Sequence, residues 1–135
     1  MNSSRSEIAI LRQGWISLAI WIAFGILIEG FIGFRTPALL DDPVRRELFR
    51  LAHAHGTLLS LVLIAAAICA RLELILFAKI SSLFLRVATL LLPLGFFFGG
   101  VWHFKDDPGL GIVLVPLGAV LLLIAAIQLA WSVRS

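Results

Sequence analysis

Charge is scarce in this 135-residue chain: 14% of the residues are Asp, Glu, Lys or Arg, 61% are hydrophobic, and the mean hydropathy is +1.06. That scarcity excludes an ordinary soluble domain, in which about a quarter of the residues are charged. Cysteine is nearly absent as well. The single Cys69 sits inside an apolar run, permits no internal disulfide, and matches neither a zinc nor a redox pattern. The one Met is the initiator, which removes His/Met haem ligation, and without Cys-x-x-Cys-His there is no covalent c-type haem. No phosphate loop, HExxH motif, dinucleotide fingerprint or nucleophilic triad is present, so the enzyme classes built on them lose support and no catalytic residue is assigned. The net charge of +3 does not point to nucleic acid, because the basic residues are spread over loops around apolar segments.

What the chain has in abundance is long apolar sequence. Four runs reach the ~20 residues needed to cross a hydrocarbon core of about 30 Å: Gly14 to Phe34, Leu51 to Ala70, Leu83 to Phe104, and Leu110 to Trp131. Asp42 before Pro43 supplies an N-cap followed by proline at the first helical position, so the second helix is expected to begin at Pro43. The expected fold is all-α: a polytopic membrane protein, an antiparallel bundle of four transmembrane helices over about 14–34, 43–70, 83–104 and 110–131, forming one membrane domain over 1–135. The segment before Gln13 reads as polar and charged. The run after it is too long for a signal peptide and lacks a small-residue cleavage site, so the first helix is expected to be retained and the mature chain to be the whole chain.

The connections agree with this division. Lys105-Asp106-Asp107-Pro108-Gly109 has the chemistry of a tight turn, which sets the third and fourth helices side by side. The link from Arg71 to Ser82 lacks Pro and Gly and is expected to lie along the membrane interface, where Arg86 can snorkel. Arg5, Arg12, Arg71, Lys79, Arg86 and Arg134 fall at one end, and Arg35, Arg45, Arg46, Arg50 and Lys105 at the other. Six against five leaves orientation undecided by the positive-inside rule. Trp15, Trp102 and Trp131 are expected as interfacial belt residues.

All three histidines, His53, His55 and His103, fall at the same end as Glu29, the one acid inside an apolar run. Glu29 lies five positions before the end of its run, about 7 Å deep at 1.5 Å per residue. On a regular helix His53 and His55 are about 200° apart, so they cannot both chelate one metal. His53 borders a seam of small residues, Ala52, Gly56, Ser60, Ala67 and Ala70, on the flank of Arg50 and Thr57, and is expected to be the interior histidine. His55 is expected to point toward lipid, a partner or a second site. Gly95, Gly99 and His103 on the third helix, and Gly25, Glu29 and Gly33 on the first, recur every four residues and are expected on packing faces.

Histidine is the commonest transition-metal and haem ligand, and a carboxylate beside imidazoles suits Zn or non-haem Fe, with Cu also fitting. The candidate metal ligands are therefore His53, His103 and Glu29. The candidate cofactor ligands are His53, His103 and His55, which would hold haem b between the second and third helices. Arg50 and Thr57 stand as supporting residues. Two readings compete with metal or haem binding in a redox or metal-handling role. Glu29, His53 and Arg50 could form a proton relay or an anion or quinone headgroup site, as in a small proton-coupled transport component. Alternatively, the chain is a noncatalytic scaffold subunit whose glycine seams pack in a larger membrane complex or homo-oligomer. Each residue also has a plainer role: Glu29 as the structural partner of Arg50, Arg35 or a histidine, and interfacial histidines as hydrogen-bond donors to backbone or headgroups.

At Leu51-Ala52-His53-Ala54-His55-Gly56 the sequence resembles small, uncharacterised bacterial four-helix membrane proteins with an Ala-His-x-His-Gly segment. The resemblance extends through Arg50, Thr57-Leu58-Leu59, the Gly-Phe-rich third helix and the Asp-Pro-Gly turn. It implies residence in the bilayer of a bacterial inner (cytoplasmic) membrane but brings no activity. The His-x-His pair alone is also similar to a pair in haem-copper oxidase catalytic subunits, where the two residues serve different metal centres. The other helices and ligands of that family are missing here, so oxidase activity is not carried over.

Overall fold

The computed structural model describes residues 2–133, with side chains from Glu7 to Val133. Arg5 and Arg134, two of the six basic residues assigned to one end of the bundle, lie outside the described side chains. The described chain is helical: α1 (Asn2–Gly33), a single turn α2 (Pro37–Leu40), α3 (Pro43–Arg71), α4 (Lys79–Val101), a 3-10 turn (Leu110–Val113), and α5 (Leu114–Trp131). Among the described residues the only β pairing is two isolated bridges, Ile75 with Val133 and Phe104 with Asp107. Four helical segments are long and apolar enough to cross a membrane: Glu7–Gly33, Pro43–Arg71, Lys79–Val101 and Leu110–Trp131.

The helix ends follow local chemistry. Asp42 caps α3 by accepting the Arg45 backbone N–H at 2.9 Å, with Pro43 at the first helical position. At the C-termini of α1 and α3 the chain turns through left-handed residues that are not glycine, Arg35 (φ 53°) and Glu73 (φ 58°). Each closes a Schellman motif. Arg35 N–H reaches Ile32 O (3.0 Å) and Thr36 N–H reaches Phe31 O (2.9 Å), while Glu73 N–H reaches Ala70 O (3.1 Å) and Leu74 N–H reaches Cys69 O (3.0 Å).

Three boundaries differ from the sequence reading. α1 starts well before Gly14, and the segment taken as polar contributes Ile10, 1% exposed, to a core with Leu63 of α3, Leu85 of α4 and Ala125 of α5. The reason is phase: Ile10, Gly14, Ser17, Trp21, Gly25 and Ile28 continue one helical stripe, all buried. α4 runs four residues earlier than its expected start at Leu83 and ends at Val101, so Trp102 and His103 are off the helix. Gly109 N–H bonds the Gly99 carbonyl at 2.8 Å, and the Phe104–Asp107 bridge closes the turn that replaces the expected last helical residues. The fourth run opens as a 3-10 turn, which leaves Pro116 in the first turn of α5, where its missing N–H has no helical acceptor to lose.

Contacts between α1 and α3 pair rising positions on one with falling positions on the other. A Cβ on Gly14 would meet Ile64, the Ser60 hydroxyl lies 2.8 Å from Ser17 Oγ, the Trp21 ring covers Gly56, and the His53 ring covers Gly25. The expected small-residue seam of α3 is buried throughout at Ala52, Gly56, Ser60, Ala67 and Ala70. Small residues let backbones approach where lipid gives no hydrophobic drive for helices to associate. Phe24, Phe49 and Phe97, one each from α1, α3 and α4, pack with centroid separations of 5.3 to 5.6 Å. Gly95 lies under Val115 and Gly99 faces Ile112, so α4 carries α5 on its other side. The link after α3 is tied to the C-cap of α5 by Leu76 N–H to Ser132 O at 3.1 Å. Trp15, Trp102 and Trp131 are exposed, whereas Trp21 is buried.

Candidate functional site

The two histidines of the His-x-His segment leave α3 in different directions, as the rotation argument requires. His53 lies against Gly25 of α1, and its Nδ1 is 2.8 Å from the Trp21 carbonyl. A carbonyl only accepts, so Nδ1 carries a proton and donates. That leaves Nε2, in the neutral ring, with a free lone pair. Gly25 is required here because any Cβ would enter the space of the His53 ring. His55 sits on the opposite flank, with its ring 4.9 Å from that of Phe96 on α4 and Nδ1 donating to the Leu51 carbonyl at 2.9 Å. Its ring therefore packs against a helix of its own chain and stays half-buried.

Glu29 is exposed and does not share the packing stripe of α1. Gly33 is exposed too, and a Cβ there would meet nothing within 4 Å. The four-residue recurrence of Gly25, Glu29 and Gly33 misleads because the stripe passes from Gly25 to Ile28, which turns Glu29 about 100° to its flank. On that flank Glu29 lines a groove of about 710 Å³ between α1 and α3, together with Ile22, Gly25, Glu47, Arg50 and His53. Arg50 Nη1 lies 4.0 Å from Glu47 Oε2, one turn away on the same helix, and both side chains are largely exposed. Such a pair contributes little to stability. Among the described residues no basic side chain forms an ion pair with Glu29.

His103 is brought elsewhere. Off the end of α4, its Nε2 lies 2.6 Å from Asp42 Oδ2 and its Nδ1 3.0 Å from the Lys105 carbonyl. Both neighbours can accept, so a doubly protonated ring donates to both. Arg45 joins this group: its Nη1 is 3.5 Å from Asp42 Oδ2 and 3.2 Å from the Ala38 carbonyl, and its Nε donates to Gly100 O at 3.3 Å. Arg46 donates to Leu40 O at 3.3 Å. Partial burial pushes the Asp42 carboxyl up, but the Arg45 N–H, the His103 hydrogen bond and the two positive charges outweigh it and hold the carboxyl below 3.8.

The structure therefore unites Glu29, His53 and Arg50 and separates them from His103 and His55. The expected metal set His53, His103 and Glu29 is not assembled, and no group of three His, Cys, Asp or Glu side chains placed to hold a metal occurs among the described residues. The bis-histidine pairing of His53 or His55 with His103 is likewise not assembled, since both ring nitrogens of His103 are engaged. The physical reason is the early end of α4, which takes His103 off the Gly95–Gly99 stripe and into a turn. Thr57, one turn from His53, has a buried Oγ1 without a hydrogen-bond partner among the described residues. Sequence reasoning missed Glu47, whose i,i+3 spacing to Arg50 on a helix starting at Pro43 was the available signal. It also missed the second role of Asp42, for which the sequence carries no signal, because the partner lies 61 positions away.

No protein-family model matches the chain, and no curated protein or solved structure matches it either.

Proposed function

We propose that the chain is an antiparallel four-span protein of a bacterial inner membrane. Its groove between α1 and α3 receives the polar head of a protonatable membrane ligand, best matched by the quinone class, and exchanges protons with it. The observation that carries this reading is the convergence of Glu29, Arg50 and His53 on one groove of about 710 Å³ with apolar walls at Ile22, Ile26 and Leu51. Ionisable groups are costly within a span and tend to mark proton or ligand pathways. The Trp21 carbonyl holds His53 in one orientation, so Nε2 is the atom that accepts a proton from a ligand hydroxyl or, once protonated, donates to a ligand oxygen. Glu29 offers a second exchangeable site, and Arg50 supplies positive charge to an anionic form of the head.

The test is quenching of tryptophan fluorescence by a short-chain ubiquinone analogue titrated into the purified full chain in mild detergent. Saturable quenching is expected, weakened about tenfold or more by His53→Gln or Glu29→Gln, which is about 1.4 kcal/mol or more. Unsaturable quenching, or the same midpoint in both variants, rejects the reading.

One observation favours a second reading. The free Nε2 of His53, with Glu29 on the same groove, would serve as a single-histidine ligand for haem b or for Cu, Fe or Zn whose remaining ligands come from outside this chain. A Soret band, or stoichiometric metal by elemental analysis of the purified protein, would favour it over the quinone reading.

A further inference from the structure

A second groove, of about 400 Å³, lies between α1 and α4 at the opposite end of the molecule from Glu29. Two arginines line it: Arg12 of α1 and Arg86 of α4. Arg86 begins about 10 Å along α4 from Lys79, at 1.5 Å per residue, which places a cation well inside an apolar helix. Its Nε donates to Gln13 Oε1 at 2.6 Å, and Gln13 Nε2 donates back to the Arg86 carbonyl at 3.3 Å. That pairing fixes the plane of the guanidinium and uses only one of its five N–H groups. The terminal Nη1 and Nη2 have no carboxylate partner, and neither has Arg12, among the described residues.

The walls change character along the groove. Arg12, Gln13 and Arg86 stand at one level; Ile16 and Leu90 lie about one helical turn further along their helices, and Ile20 and Leu94 about two turns. A polar, doubly cationic mouth thus opens onto a largely apolar groove, interrupted only by Ser17 among the described lining residues, the profile of an amphiphile with an anionic head. Among the described residues no acid lines the groove, so a zwitterionic head would bring a cation with nothing to receive it. Guanidinium pairs with phosphate oxygens through parallel N–H groups, and the free Nη1 and Nη2 of Arg86 offer that fork.

We propose that this groove binds an anionic phospholipid, its phosphate held between Arg86 and Arg12 and its acyl chain laid against Ile16, Ile20, Leu90 and Leu94. The site lies on a different flank of α1 from the Glu29–His53 groove and does not depend on the function proposed for it.

The experiment is native mass spectrometry of the full chain in mild detergent, delipidated and offered phosphatidylglycerol or phosphatidylcholine at equal concentration. Phosphatidylglycerol should bind at least tenfold more tightly. Arg12→Gln, which breaks no hydrogen bond within the described protein, should reduce that preference by roughly fivefold, the effect of one basic residue beside an anionic head. Arg86→Gln should reduce it at least as much with helicity by circular dichroism unchanged, and Arg86→Lys should keep part of it. Equal affinity for the two lipids, or an undiminished preference in Arg12→Gln, overturns the proposal. Displacement of phosphatidylglycerol by equimolar oleate overturns it too, because the site would then select a carboxylate amphiphile.

Discussion

His103 Nε2 and Asp42 Oδ2 lie 2.6 Å apart, joining the turn after α4 to the N-cap of α3 across 61 positions of sequence. Because the Asp42 carboxyl is held below its ordinary value, the folded state favours the carboxylate. Its stabilisation is complete above the unfolded-state value of 3.8 and is lost as pH falls through the lower folded-state value. Asp42→Asn keeps a capping oxygen but removes the charge, so it should lose stability at neutral pH and flatten the acid limb of a melting profile. Asp42→Ala removes the cap as well and should cost about 1 kcal/mol more. Unchanged acid sensitivity in Asp42→Asn would refute the assignment.

Gly56 lies under the Trp21 ring, with no room for a Cβ. Gly56→Ala should therefore destabilise by about 1–3 kcal/mol, the range for forcing extra volume into a packed contact. Gly30→Ala, where a Cβ meets nothing within 4 Å, is the control and should be neutral or slightly stabilising. Thermal unfolding in one detergent compares the two.

The left-handed conformation of Glu73 is one that glycine adopts without steric cost. Glu73→Gly should raise stability by about 1 kcal/mol through the Schellman motif at the end of α3. A lowered melting temperature would mean that the Glu73 side chain has a stabilising contact of its own.

Thr57→Val removes a buried hydroxyl that has no partner within the described protein. Relief of an unsatisfied polar atom should make the ligand-free protein neutral to about 1 kcal/mol more stable. If ligand protects the wild type against heat but protects Thr57→Val less, the hydroxyl belongs to the ligand site.

His53 and His55 should separate in any binding measurement. His53→Gln should weaken the ligand of the α1–α3 groove by about tenfold, whereas His55→Gln should leave affinity within about twofold, since its ring lies against Phe96 on the other flank. Equal effects would contradict the geometry.

Much of the architecture is legible along the chain because it is local. The apolar runs, the Asp42–Pro43 start of α3, the Asp-Pro-Gly turn and the opposed directions of His53 and His55 all follow from residue type and the 3.6-residue period. The errors come where local pattern competes with distant contacts. A four-residue recurrence of glycine suggested a packing face through Glu29, yet the stripe that packs passes through Ile28. The same kind of recurrence carried His103 onto a helix that ends before it.

The sequence by itself determined that this is an all-helical chain with four segments able to cross a membrane, and that its histidines and Glu29 gather toward one end, because helix length and apolar composition act within a few turns. Only the tertiary structure decided which of those groups meet. Glu29, Arg50 and His53 share a groove because the ring of His53 lies against Gly25 and its Nδ1 donates to the Trp21 carbonyl, while His103 is taken by Asp42 and the Lys105 carbonyl. These partners are set by how α1, α3 and α4 pack, and no spacing within a single helix encodes them.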